Sequence, residues 1–284
     1  MIAAPFAYAR PSTHEEAARL LAGASGLASA IGGGTALFPL LSRDEQQPSL
    51  LVDLRGLGLE DIRVDGEELV LGARVTYDAL VGSEIISRHA PLLALMAKGV
   101  TGGRSITGQG TIGGSACYAN PASDVPACLL ALRARLRLVS LRGTRDIPAS
   151  QFFTGPYQTL RRPDEFLAEI RADISRSVGA AGYHKLKFAG SSSPIVTAAS
   201  TLQMEQGGIA EGFVAIGGAG PVPIGSAFQV RTSDRDSVEA AVKAIVRAMP
   251  AGWSDELADG DYRRAVAPEV ARIAIEAALE QADG

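Results

Sequence analysis

Apolar positions change period several times along the chain. In "THEEAARLLA" they recur at helical spacing, and Ser12 with Glu15 fits a capping box, so a helix is expected over about 13–22. "ASAIGGGTALFPLLSR" reads as a short buried strand, a glycine turn and a helix ending near Arg43. "SLLVDLRG" (49–56) is a strand again, which gives a β-α-β-like unit in the first fifty-odd residues. Asp65-Gly66 then separates two alternating runs, a hairpin signal. A helix begins at 75–81, and helical spacing returns over 86–100. "VPACLLALRARLRLVS" starts as a helix, with Pro126 near its first turn, and runs into a strand. Another strand is expected around 165–171.

The small, polar stretch "ISRSVGAAG" (174–182) reads as a linker. Beyond it, "GYHKLKF", "PIVTAASTLQME" and "AEGFVAIGGAGPVPI" predict three antiparallel strands, with Gly207-Gly208 as a turn. Helices are expected at 237–249 and 262–282, and Pro268 predicts a kink or a start within the second. The pattern predicts an α+β protein. A two-part domain covers 1–173, with subdomains of about 1–56 and 57–173. A C-terminal domain, 178–284, carries a three-stranded antiparallel sheet and helices.

Composition narrows this picture. A chain of 284 residues is long for one core and favours two domains. Aromatics at 5% beside 32 glycines favour tight loops over a large aromatic core. A net charge of -4 argues against a nucleic-acid face. No apolar stretch approaches the roughly 20 residues of a membrane span, and no basic n-region precedes an apolar run, so a cytoplasmic protein is expected. Two cysteines, Cys117 and Cys128, and three histidines cannot by themselves build an iron–sulfur or four-cysteine zinc site. No metal site is expected on this chain.

Candidate chemistry lies in two clusters of bare backbone, Gly32-Gly33-Gly34-Thr35 and Gly110-Thr111-Ile112-Gly113-Gly114-Ser115. Amides without a Cβ in the way can cradle a diphosphate, and Thr35, Thr111 and Ser115 add hydroxyls. Asp124 would repel phosphate, so its expected partner is a hydroxyl of a ribityl or ribose chain. Each glycine segment also reads as an ordinary tight turn, and the first lacks the spacing of a Rossmann fingerprint, since Gly32-Gly33-Gly34 is followed by Thr35 and Ala36. His14, His89 and His184 fall in separate elements and Ser191-Ser192-Ser193 lacks a nucleophile elbow, so no catalytic residue is assigned. Cys117 and Cys128 read as small packing residues, and "LRARLRLVSLR" as a solvated strand face. Lys185 and Lys187 alternate on one strand, where either is a surface lysine or a counter-charge to a phosphate.

Taken together, the two segments resemble those of the FAD-binding medium subunits of the molybdenum hydroxylases, the xanthine dehydrogenase and carbon monoxide dehydrogenase family. "IGGGTALFPLL" resembles the first flavin loop and "GTIGGSACYANPASDVPACLLAL" the longer, more specific second one. "FAYARPSTHEEAARLLA", "GYHKLKF" and "GDYRRAVAPEVARIAIEAAL" extend the likeness over nearly the whole chain. The resemblance implies a two-part FAD-binding domain of the PCMH type. It places Gly32, Gly33, Gly34, Thr35 and Ala36 with Thr111, Ile112, Gly113, Gly114 and Ser115 around FAD, Asp124 at a sugar-type hydroxyl and Lys185 beside the cofactor. Gly113→Val is then expected to abolish flavin retention by blocking the approach of the amide.

The resemblance further implies an electron-transfer subunit of a doubled heterotrimer. A small partner would carry 2Fe-2S clusters and a large one the molybdenum cofactor. Several positions depart from the family pattern: Ala36 for a hydroxyl residue or Asp, Thr107 and Gln109 where Arg is frequent, Ser115 for Asn, and Phe188 and Ser192 for Arg and Asp. Two alternatives stay open, a self-contained FAD oxidoreductase and a structural subunit that has lost its cofactor.

Overall fold

The computed structural model describes residues 4–175, 180–204, 209–231 and 235–283. Its N-terminal unit is built from β1 (Ala7–Ala9), α1 (His14–Gly23), β2 (Ala28–Ile31), α2 (Leu37–Ser42) and β3 (Leu50–Asp53), with the strands parallel in the order β1-β3-β2. The first helix is capped one residue later than expected. Thr13 Oγ1 accepts the Glu16 amide at 3.1 Å, and the Glu16 carboxylate accepts the Ser12 amide at 2.8 Å. Thr13 is therefore the cap, and the Glu16 carboxylate reaches back to Ser12, one residue before it. This start sets Ala17, Ala18 and Leu21 in a core shared with Val52, Leu54 and Phe166.

The middle unit opens with the hairpin β4 (Ile62–Asp65) and β5 (Glu68–Gly72). A run of helices follows: α3 (Tyr77–Gly82), α4 (Glu84–His89), α5 (Pro91–Gly99), α6 (Arg104–Thr107), α7 (Ile112–Tyr118) and α8 (Asp124–Ala131). The expected helix over 86–100 is two helices, because Pro91 has no amide to donate and instead opens α5 in its first turn. Next come β6 (Arg135–Ser140), β7 (Gly143–Pro148), α9 (Ala149–Phe152), the short pair β8 (Phe153–Gly155) and β9 (Gln158–Thr159), and β10 (Phe166–Asp173). β10 returns to lie between β5 and β6, giving an antiparallel sheet in the order β4-β5-β10-β6-β7. The arginines of β6 are ion-paired: Arg137 meets Asp146 at 2.8 Å and Glu169 at 3.3 Å, and Arg135 meets Glu68. That run is a charged sheet face.

In the C-terminal unit, β11 (Ala180–Lys187), β12 (Pro194–Met204) and β13 (Ile209–Gly217) form an antiparallel meander. A fourth strand, β14 (Ile224–Arg231), extends the three that the pattern predicts. Helices α10 (Arg235–Arg247) and α11 (Gly260–Asp283) follow, and α11 runs through Pro268. The Gly207-Gly208 turn lies outside the described residues, as do 176–179 of the expected linker. Ala180–Gly182 of that linker already belong to β11.

Strand alternation decides what each face touches. Ala181, Ala199 and Ala215 enter the core of the middle unit, whereas Ala180, Ala198 and Val214 pack with Ala271, Ala274 and Ile275 of α11. Odd positions of β11 thus look toward α5 and α8, and this parity brings Tyr183 and Lys185 to the functional region.

Candidate functional site

The two glycine segments lie against each other. Gly32 to Ala36 link β2 to α2, while Gly110 and Thr111 lead into α7. Their contact leaves no room for side chains: a Cβ on Gly33 would stand 1.8 Å from the carbonyl oxygen of Gln109, and a Cβ on either Gly32 or Gly114 would stand 2.8 Å from Thr111 Oγ1. Thr111 caps α7, its Oγ1 accepting the Gly114 amide at 3.1 Å.

The two segments differ in what their amides do. In the second, Ile112 N donates to Val75 O and Gly113 N to Ala73 O, each at 3.0 Å, and Ser115 N donates to Thr111 O at 3.0 Å. The first two amides fasten α7 to the bend after β5, and the third is spent within the first turn of α7. Gly113 is tied to the same contact, since a Cβ there would lie 2.5 Å from Ala73 O. The expectation that Gly113 keeps an amide open for a ligand is corrected: its missing Cβ serves backbone packing. In the first segment, the amides of Gly33, Gly34, Thr35 and Ala36 donate to no acceptor among the described residues. Gly34 holds φ +78°, a left-handed conformation that turns the loop into α2. Ala36 has no side chain able to cap α2.

These free amides line a cavity of about 1220 Å³, ample beside the roughly 300–1,000 Å³ of most small-ligand sites. All the sequence-predicted residues line it except Ile112, Asp124 and Lys185. Ile112 is buried in the core of the middle unit. The opposite wall comes from the C-terminal unit, through Ser192, Ser193 and Asp255 to Leu257. Buried Arg263 fixes that loop, as its guanidinium donates to Ala258 O at 3.2 Å and to the Asp255 carboxylate and stacks 4.6 Å over Trp253.

Asp124 and Lys185 are brought to one another. Lys185 Nζ donates to Asp124 Oδ1 at 2.7 Å, and the Tyr183 hydroxyl donates to the same oxygen. Nearby, the hydroxyls of Tyr77 and Ser115 hydrogen-bond at 2.5 Å, so Ser115 joins the cavity wall to a buried phenol. Burial raises the Tyr77 and Tyr183 phenols above their ordinary range, and the Asp124 charge adds to both. Burial, with Asp124, also pushes the Cys128 thiol well up, and Lys185 partly offsets it. These groups stay protonated near neutral pH.

Other wall residues gave no sequence signal. Arg74 donates to Gly32 O and pairs with Glu60 at 2.6 Å. Tyr118 and Tyr157 meet edge to face, 5.1 Å between centroids. Arg161 lines the cavity from the segment between β9 and β10. Of the departures from the family pattern, Ser115 bonds Tyr77, Ser192 Oγ donates to Ala189 O at 3.0 Å, and Phe188 is 82% exposed.

Comparison with known proteins decides the family. Residues 4–172 match the family described as FAD binding domain in molybdopterin dehydrogenase. The chain belongs to the FAD-binding medium subunits of the molybdenum hydroxylases. Among the relatives of this flavoprotein subunit is the carbon monoxide dehydrogenase medium chain of Afipia carboxidovorans, 30% identical over 288 residues, with 99% of each chain covered. Among solved structures, carbon monoxide dehydrogenase from Hydrogenophaga pseudoflava superposes with a TM-score of 0.88 at 28% identity, covering 99% of both chains. Quinoline 2-oxidoreductase from Pseudomonas putida 86 superposes at 0.87 with 26% identity, again covering 99% of both. The cavity fits the dinucleotide this family binds, because it presents unpaired loop amides beside arginines. Among the described residues, no helix is long and apolar enough to cross a membrane.

Proposed function

We propose that this chain is the electron-transfer subunit of a doubled heterotrimer. Electrons arrive from 2Fe-2S clusters on a small partner and leave to an external acceptor, while a large partner with the molybdenum cofactor oxidises the substrate. Residues 1–173 serve as the FAD domain and 178–284 as the C-terminal domain that closes the cavity. The two reduced thiols suit the cytoplasm. FAD supplies the redox chemistry when bound, accepting and releasing electrons.

The chain binds and orients. The amides of Gly33 to Ala36, with Gly32 and the Thr35 hydroxyl, hold the diphosphate. Thr111 to Ser115 form the second wall, stiffened by the bonds of α7 to Ala73 and Val75. Asp124 and Lys185 do not line the cavity; they form a charge-paired polar cluster with Tyr183 next to the Tyr77–Ser115 bond and act on the sugar and ring portions through Ser115. No residue here acts as an acid or base on the substrate. The free amides of the first glycine loop, opening on a cavity within the matched domain, carry this reading.

The test is to purify the tagged chain from its native cells. Iron–sulfur absorbance and molybdenum accompanying flavin in fixed ratio are expected. A chain that purifies alone and oxidises a substrate unaided would contradict the assignment.

A further inference from the structure

Three guanidinium groups stand on the cavity wall, those of Arg43, Arg74 and Arg161. Two have carboxylate partners: Arg43 pairs with Glu45, and Arg74 with Glu60 at 2.6 Å. Arg161 has none among the described residues. Its Nη1 donates to the carbonyl oxygens of Arg162 at 3.1 Å and Glu165 at 2.8 Å, which fixes the side chain in place. The donors at Nε and Nη2 meet no acceptor among the described residues. Adjacent Glu165 is turned away, its carboxylate held by Arg145 at 2.8 Å and by the Arg162 amide at 2.8 Å. The charge of Arg161 is felt on the cavity wall, where burial pushes the Cys117 thiol up and Arg161 partly offsets it. A cation tethered by carbonyl oxygens and left without a counter-ion beside a cavity is arranged for an anion that comes with the ligand, and a guanidinium fork matches phosphate oxygens.

We infer that Arg161 is a phosphate-binding residue of the FAD site, supplying the fixed positive charge that the two glycine segments lack. This rests on the flavoprotein reading and deepens it. Glycine amides hold a diphosphate by neutral donors alone, and Arg161 adds charge compensation from a distant sequence region, 125 to 128 residues after the free amides of Gly33 to Ala36.

The test titrates the flavin-free full chain with FAD and with riboflavin, which lacks phosphate, following flavin fluorescence. Arg161→Gln keeps a donor for the two carbonyls but removes the charge, and Arg161→Lys keeps the charge. Loss of one charge-assisted bond predicts about a 10- to 100-fold weaker affinity of R161Q for FAD. Riboflavin binding should be unchanged, and R161K should recover most of the FAD affinity. FAD affinity of R161Q within about twofold of the wild type, or an equal fall for riboflavin, would overturn the inference while leaving the flavoprotein reading intact. A wild-type chain that takes up neither flavin would overturn both.

Discussion

Gly113→Ala separates a glycine kept for packing from one kept for a ligand. The new Cβ would lie 2.5 Å from Ala73 O, 2.6 Å from Ala73 Cβ and 2.8 Å from Ala73 Cα. Two of these atoms are backbone, so α7 must move away from the bend after β5. That overpacking costs about 1–3 kcal/mol. The shift also loosens the bonds from Gly113 to Ala73 and from Ile112 to Val75, each worth about 0.5–1.5 kcal/mol. Replacing Gly by Ala inside a helix returns about 1 kcal/mol. The net expectation is a loss of about 3 kcal/mol in the flavin-free chain, read from urea unfolding followed by far-UV circular dichroism. Gly23→Ala is the control, because nothing lies within 4 Å of its added Cβ, and it should be neutral or slightly stabilising. If G113A unfolds with the wild type, within about 0.5 kcal/mol, yet loses FAD, then Gly113 serves the ligand and the packing argument is wrong.

Three further outcomes follow from buried charges. Asp124→Leu leaves the Lys185 ammonium enclosed without its carboxylate and should cost about 3–5 kcal/mol, whereas D124L/K185M should recover most of it; urea midpoints of the flavin-free variants would show this, and a fully additive double variant would contradict it. Burial opposes ionisation of Asp53, but hydrogen bonds from Arg55, Tyr8 and the Arg55 amide outweigh it and hold the carboxyl at about 2, below its ordinary 3.8. Its stabilisation is therefore present above pH 4 and lost as pH falls toward 2, a change of about 2 kcal/mol; Asp53→Asn should flatten that part of the stability–pH curve, and an unchanged slope would refute the assignment. Arg263→Met removes the cation stacked on Trp253 and the partner of Asp255 and should cost about 3–5 kcal/mol with a shift in Trp253 emission; an unaltered spectrum and midpoint would contradict the role given to Arg263.

Much of the fold is legible in local pattern. The strand–glycine–helix run at 28–42, the Asp65-Gly66 hairpin and the alternation of β11 to β13 all carry their period in the sequence. β14 does not, because its "IGSAFQVR" places Gly225 and Ser226 among the apolar positions and follows a Gly/Pro-rich stretch that reads as a terminus. The helix cap slipped by one residue since Ser12 and Thr13 both suit the role, and only the hydrogen bond to Glu16 separates them. The glycine segments announce the cavity, yet their chemistry is not symmetrical. That the α7 amides are taken by Ala73 and Val75 is a tertiary fact with no local signature. The meeting of Asp124 with Lys185 depends on the parity of β11 against α8, and the isolation of Arg161 on where Glu165 finds its own partners.

The most direct measurement of the central claim is the flavin content of the purified chain within its complex, from the visible spectrum and from the flavin released on heating. About one FAD per chain is expected, the stoichiometry of a single site. An intact, catalytically active complex whose medium chain contains no flavin would contradict it.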